Sequence, residues 1–182
     1  MPVIVHEGCW FCRFSGSGKT TLVERLIPAL RHKGLRVSVV KHAHHCFDID
    51  HEGKDTYRHR EAGAFEVVVA SDQRLALMRE FEVAKRPTVH QLLAELYEGV
   101  DWVLVEGFKD SDLQKIEVWR AVTGKPARYF EDDFITAIAT DSPDQLPVPT
   151  PLPVLDLNDP EAVVDWLISQ AARFDYDFEN HA

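Results

Sequence analysis

The residues with the clearest chemistry lie in one short run, at positions 15–21. Gly-Lys-Thr at 18–20 matches the end of the phosphate-binding pattern G-x-x-x-x-G-K-[ST]. Glycines let the backbone amides of such a turn point at one phosphate, and the following helix adds the positive end of its dipole. We predict that Lys19 reaches the terminal phosphates of a nucleotide and that the Thr20 hydroxyl binds Mg²⁺. The predicted phosphate-binding residues are Ser15, Gly16, Ser17, Gly18, Lys19, Thr20 and Thr21.

One position departs from that pattern, because Arg13 stands where the first glycine is expected. The alternative interpretation is a Gly/Ser-rich linker that happens to contain a lysine. Linkers do not lead into an amphipathic helix, however, and Leu22, Leu26 and Leu30 follow at helical spacing. The context therefore favours a phosphate-binding loop followed by a helix.

Carboxylates after two apolar runs form the second group of candidates. Glu106 ends the run Trp-Val-Leu-Val at 102–105, where it could support Mg²⁺ or orient an attacking water. A capping or surface carboxylate is the alternative. Asp48 and Asp50 could both face one side of an extended loop and bind Mg²⁺, or they belong to a solvated acidic loop. We predict Thr20, Asp48 and Glu106 as metal ligands, and Glu106 and Asp48 as catalytic residues.

Two further features bear on ligand choice. Asp141 follows the apolar run 135–140, where a carboxylate could accept hydrogen bonds from N1 and N2 of guanine, although Asp-Ser-Pro is equally a turn opener. Lys41 and His42 are candidates for contacting a phosphate or an anionic partner molecule. Two interpretations are open for His42, His44, His45 and Cys46. They form a soft transition-metal site, or they belong to a polar loop that lines the ligand cleft.

The elements that position these residues alternate between strands and helices. This order predicts an α/β fold with a doubly wound, mostly parallel sheet of the P-loop NTPase type, plus an antiparallel hairpin at 64–81. Pro28 should kink the first helix or loosen its second half. Residues 6–8 interrupt the apolar pattern of the strand expected before the phosphate-binding run. We expect one nucleotide-binding domain over 1–173, followed by a frayed tail over 174–182.

Composition limits the class of partner. The chain has 182 residues and a net charge of −10, which argues against non-specific binding of nucleic acid or of a membrane surface. No apolar run approaches the length of a membrane span and no secretory signal is evident, so the cytoplasm is the expected location. Three cysteines make no disulfide framework, and Cys9 and Cys12 are either buried thiols of a strand or a metal or redox pair.

The motifs taken together resemble the MobB family, the molybdopterin-guanine dinucleotide biosynthesis adaptor proteins. The resemblance covers about residues 14–167. Its most selective parts, after the phosphate-binding run, are Lys41-His42-Ala43-His44-His45, Asp48-Ile49-Asp50, Gly53-Lys54-Asp55-Thr56-Tyr57-Arg58 and Glu106-Gly107-Phe108-Lys109.

The resemblance implies a generally dimeric protein that binds GTP and Mg²⁺ and hydrolyses GTP weakly. It implies assistance to the molybdopterin guanylyltransferase, and it leaves open whether molybdopterin itself is bound. It also places Asp141 at the base-reading position and Asp48 and Glu106 beside the metal. Three other functions stay open: a metal-inserting maturation GTPase of the nickel-enzyme type, a small-molecule kinase, and an adaptor that binds GTP without turnover.

Overall fold

The computed structural model describes residues 6–12, 18–43, 47–97 and 99–176, with the backbone alone for residues 6–12. The chain divides into two compact units. The first comprises Met1–His42 and Val89–Ala182, and the second comprises Ala43–Thr88. Ser15, Gly16 and Ser17, which are predicted to begin the phosphate-binding turn, lie outside the described residues, as do Arg13, His44, His45 and Cys46.

The first unit is built on a sheet that has seven strands among the described residues. The strands are β1 (His6–Cys12), β2 (Val37–Lys41), β5 (Trp102–Glu106), β6 (Lys115–Trp119), β7 (Ile135–Thr140), β8 (Val154–Asp156) and β9 (Asp175–Tyr176). Their order is β2-β5-β1-β6-β7-β8, with β9 paired to β1. Six strands run parallel, and β9 is antiparallel to β1.

Helices cover both faces of this sheet. Helices α1 (Lys19–His32) and α4 (Pro160–Ser169) contribute to one buried apolar cluster, and α3 (Val89–Leu93) contributes to another. Strand β5 alternates between them, since Leu104 packs in the α1–α4 cluster and Val105 in the α3 cluster. A strand buried on both faces reads as a continuous apolar run, which explains the sequence of β5. The predicted α/β fold with a parallel sheet and an antiparallel hairpin is confirmed.

The second unit contains α2 (Asp55–Glu61) and the antiparallel pair β3 (Glu66–Ala70) and β4 (Leu75–Arg79). The register places Val68 opposite Leu77 and Ala70 opposite Leu75. Among the described residues, β3 and β4 pair only with each other. Their shared face therefore presents Val68, Leu75 and Leu77, all of which are exposed.

Two local expectations are corrected. Residues 6–8 do not interrupt the strand, because β1 runs through them with Gly8 opposite Val103. The start of the tail is not frayed, because Phe174 is buried against Trp102 and Trp166, and Tyr176 pairs with β1; residues 177–182 lie outside the described residues. Helix α1 runs to His32 with Pro28 inside it, and the kink at Pro28 stays a prediction.

Candidate functional site

The described end of the phosphate-binding run is a left-handed residue followed directly by a helix. Gly18 has φ 91° and is the N-cap of α1, with no side chain capping the helix. Its carbonyl accepts the first helical hydrogen bond, from the amide of Leu22 at 3.0 Å. Lys19, the first helical residue, is buried. Helix N-termini with uncapped amides attract anions, so the local geometry is that of a phosphate site.

Glu106 lies at the same sheet edge and contacts the start of that helix. It is the last residue of β5, and the pairing with β1 places it opposite Phe11. The Thr20 hydroxyl donates to Glu106 Oε1 over 2.7 Å. Lys41, opposite Glu106 in β2, places Nζ 3.4 Å from Oε2. The structure therefore brings together three of the predicted site residues, one on a helix and two on neighbouring strands.

A hydroxyl oxygen beside a carboxylate oxygen is a donor set that suits Mg²⁺, which takes hard oxygen ligands and keeps several waters. Thr20 and Glu106 supply one such oxygen each. The ammonium of Lys41 offsets the negative charge of Glu106. The residues present thus fit a magnesium ion bound together with a nucleotide.

The turn after Glu106 explains the Glu-Gly-Phe-Lys motif. Gly107 has φ 108° and Phe108 has φ 49°, so both adopt left-handed conformations. A Cβ atom on Gly107 would lie 2.8 Å from Cβ of His42, which excludes a side chain there. The amide of His42 donates to the carbonyl of Glu106 at 3.0 Å, and its ring lies 4.8 Å from that of Phe108. In this structure His42 packs against the turn that follows Glu106.

Asp141 follows β7, as predicted, and binds an arginine that the sequence reasoning did not identify. Arg120 follows β6 directly, and its Nε donates to Asp141 Oδ2 over 2.6 Å. The Ser142 hydroxyl donates to Asp141 Oδ1 over 2.8 Å. Burial raises the pKa of Asp141, but the hydrogen bonds from Ser142 and Arg120 outweigh it and leave that pKa below its usual range. Arg120 could have been found as a cation at the carboxyl end of a strand next to β1.

Asp48 and Asp50 belong to the second unit, where both bind Arg60. The Arg60 guanidinium lies 3.0 Å from Asp48 Oδ1, 3.1 Å from Asp50 Oδ2 and 2.8 Å from Glu80 Oε1. The hydrogen bonds from Arg60 hold the pKa of Asp48 below its usual range. Burial raises the pKa of Asp50, but hydrogen bonds from Thr56, the His51 amide and Arg60 lower it overall. The role of Asp48 as a metal ligand stays a prediction.

Three of the four residues considered for a transition-metal site, His44, His45 and Cys46, lie outside the described residues. No group of three or more His, Cys, Asp or Glu residues within 6–12, 18–43, 47–97 and 99–176 is arranged to hold a metal ion. Over the same residues, no helix is long and apolar enough to cross a membrane.

Residues 9–141 match the family model MobB, described as Molybdopterin guanine dinucleotide synthesis protein B. The chain belongs to the MobB family.

Curated relatives agree with this assignment to MobB. The Molybdopterin-guanine dinucleotide biosynthesis adapter protein of Escherichia coli is 40% identical over 160 residues, covering 87% of this chain and 89% of the relative. The protein of the same name from Haemophilus influenzae is 40% identical over 156 residues, covering 85% and 83%. The crystal structure of Bacillus subtilis MobB matches with a TM-score of 0.68 and 26% identity, covering 91% of this chain and 98% of that one.

Proposed function

We propose that this MobB chain binds GTP with Mg²⁺ and acts as an adapter in molybdopterin-guanine dinucleotide biosynthesis. The observation that carries the proposal is the 2.7 Å hydrogen bond from Thr20 to Glu106 at the uncapped start of α1. It joins the hydroxyl and the carboxylate that a nucleotide-bound Mg²⁺ requires. The names of the relatives supply the pathway.

In this proposal Lys19 and the residues 15–21 hold the phosphates, and Thr20, Glu106 and Asp48 support the metal. Mg²⁺ would bridge phosphate oxygens and offset the charge that develops on them. Glu106, with its side chain 14% exposed, is the first candidate for orienting an attacking water, and Asp48 is the second. A carboxylate in that role would support weak GTP hydrolysis, which this proposal includes.

Lys41 and His42 have a separate proposed role. The Lys41 side chain is 57% exposed beside Glu106, so its ammonium can leave that carboxylate when Mg²⁺ binds and contact a phosphate instead.

Asp141 is proposed to select guanine, since a carboxylate can accept more than the two hydrogen bonds that Arg120 and Ser142 donate.

The proposed partners are the molybdopterin guanylyltransferase and a second copy of this chain, with molybdopterin as a further candidate ligand, and the proposed location is the cytoplasm. The exposed Val68, Leu75 and Leu77 on the β3–β4 face support a homodimer, because a sheet of only two strands exposes an apolar face that needs cover. Burying this face against its own copy would remove that apolar area from water.

Calorimetric titration with GTP and with ATP, in the presence of Mg²⁺, tests the proposal. We expect native protein to prefer GTP and Lys19→Ala to lose about a hundredfold in affinity or more, since the lysine contact is charge-assisted. Lys33→Ala is the matched control, because Lys33 lies at the other end of α1 and pairs with Asp165. Equal binding of both nucleotides, or of neither, would contradict the proposal.

GTP hydrolysis measured with and without the purified guanylyltransferase distinguishes an adapter that hydrolyses GTP weakly from one that binds GTP without turnover. Phosphate release that depends on Mg²⁺ and on Glu106 supports weak turnover. GTP binding without any release, in either condition, supports an adapter that does not hydrolyse its nucleotide.

A further inference from the structure

Arg120 lies between the phosphate-binding turn and Asp141. It follows β6, the strand next to β1, and its side chain is 38% exposed. Its Nε donates to Asp141 Oδ2 over 2.6 Å, and the Asp141 side chain is 20% exposed. A short bond through Nε leaves Nη1, on the other side of the planar guanidinium, directed away from this carboxylate.

The same side chain passes over Gly18. A Cβ atom built on Gly18 would lie 3.9 Å from Arg120 Cδ and 4.0 Å from Nη1. Space for about one methyl group therefore separates the guanidinium from Gly18, the residue immediately before α1. No hydrogen bond joins Nη1 or Nη2 to another residue in the described part of the chain.

Two positive features lie side by side at Gly18. The start of α1 carries the positive end of the helix dipole, and Arg120 brings a guanidinium next to it. Asp141 pairs with that guanidinium through Nε, which leaves Nη1 on the side of Gly18. A phosphate chain at the helix start would be attracted by both features.

We infer that Arg120 binds the phosphate chain of the nucleotide and that Asp141 is the positioning residue that directs it there. This inference rests on the proposed nucleotide binding. Both oxygens of Asp141 already accept hydrogen bonds, from Arg120 and Ser142. Holding the arginine is thus one role of this carboxylate, separate from reading the base.

Titration of GTP and of inorganic tripolyphosphate, each with Mg²⁺, into native protein, three single variants and one double variant tests this. Arg120→Ala should weaken binding of both by about tenfold or more, as expected for a lost charge-assisted hydrogen bond. Asp141→Asn should weaken tripolyphosphate binding in native protein but not in the Arg120→Ala background. Arg120→Lys should restore part of the tripolyphosphate affinity, because it keeps the charge without the planar fork.

The outcomes are distinct. Unchanged binding of both ligands by Arg120→Ala, or a loss for GTP alone, would overturn the inference, since the second result places Arg120 at the base. Native protein that binds GTP but no tripolyphosphate would overturn it as well. Native protein that fails to bind GTP contradicts the proposed function instead, and the tripolyphosphate titrations then still test Arg120. Far-ultraviolet circular dichroism of each variant identifies any that is unfolded. If Arg120→Ala is unfolded, the tripolyphosphate affinity of Arg120→Lys, compared with that of native protein, tests the inference instead.

Discussion

Thr20 donates a hydrogen bond to Glu106 over 2.7 Å, although 86 positions separate the two residues in sequence. The contact follows from the sheet, because β1 leads toward the turn before α1 and pairs with β5, which ends at Glu106. The carboxyl ends of neighbouring parallel strands meet at one edge, where α/β sheets bind ligands. Buried central strands hold the carboxylate in place. Substitutions at Glu106 should therefore change ligand binding more than they change the stability of the sheet.

Replacing Glu106 by Gln should separate charge from shape at the proposed metal site. The amide oxygen still accepts from Thr20 but no longer carries the negative charge that attracts Mg²⁺. We expect the Mg²⁺-dependent part of GTP affinity to fall by about tenfold, measured by titrating GTP at several Mg²⁺ concentrations. Glu24→Gln, on the exposed side of α1, is the control. An unchanged Mg²⁺ dependence in Glu106→Gln would remove this carboxylate from the metal site.

Gly107→Ala should destabilise the protein by steric conflict as well as by backbone strain. The new Cβ would lie 2.8 Å from Cβ of His42, and the residue would keep φ 108°. We expect a loss of about 2 to 4 kcal/mol in the free energy of unfolding by urea. Gly34→Ala is the matched control, because Gly34 has φ 81° with nothing within 4 Å of the added atom. It should lose only about 1 kcal/mol. Equal losses in both variants would show that the contact with His42 adds nothing.

The ion pairs of Arg60 should make the stability of the second unit depend on acid. The folded pKa of Asp48 and of Asp50 is lowered, so their contribution is present above the ordinary value of about 4 and is lost as the pH falls through the folded value. Arg60→Met leaves three carboxylates together and should lower the melting temperature at pH 7. The difference from native protein should shrink below about pH 4, as the carboxylates become neutral.

Arg58→Met is the control for this experiment, since Arg58 makes an exposed pair with Asp55 and should change the melting temperature little. Amide hydrogen exchange over residues 47–88 locates the effect. A difference between Arg60→Met and native protein that stays constant from pH 7 to pH 3 would show that the ion pairs do not cause it.

Leu77→Lys should weaken the proposed homodimer. Leu77 is 43% exposed on the face of β4 that it shares with Val68, and a buried charge there would lack a partner. Light scattering after size exclusion should show the variant as a monomer at concentrations where native protein is dimeric. Val83→Lys, 80% exposed beyond the hairpin, should stay dimeric. Native protein that is monomeric, or a variant that remains dimeric, would place the interface elsewhere or remove it.

Periodicity and strand ends were sufficient to predict the central elements and the meeting of Thr20 with Glu106. Strand β7 coincides with the apolar run at 135–140, because an apolar run bounded by polar residues marks a buried strand. Fraying from Phe174 was the wrong expectation for that residue, since Phe174 is buried by contacts with Trp102 and Trp166 that no local pattern reveals.

Arg120 was missed, and the backbone conformation of Phe108 was not predicted, for a related reason. An arginine directly after a strand is common. Arg120 becomes a candidate for ligand binding only because the fold brings it to the Asp141 carboxylate, 21 positions away, and next to Gly18. Phe108 is notable through its φ of 49°, which sequence does not encode for a non-glycine residue. Asp48 reads as a free carboxylate in sequence, and only the fold of the second unit brings Arg60 to it.

The strand that leads toward the phosphate-binding turn acquires its neighbours late during synthesis. Strand β1 pairs with residues 102–106, 115–117 and 175–176, which leave the ribosome long after residues 6–12. Such distant pairings slow folding, and they keep β1 without a sheet while most of the chain is translated. A nascent chain shorter than about one hundred residues would therefore be unable to retain nucleotide, however complete its local motif.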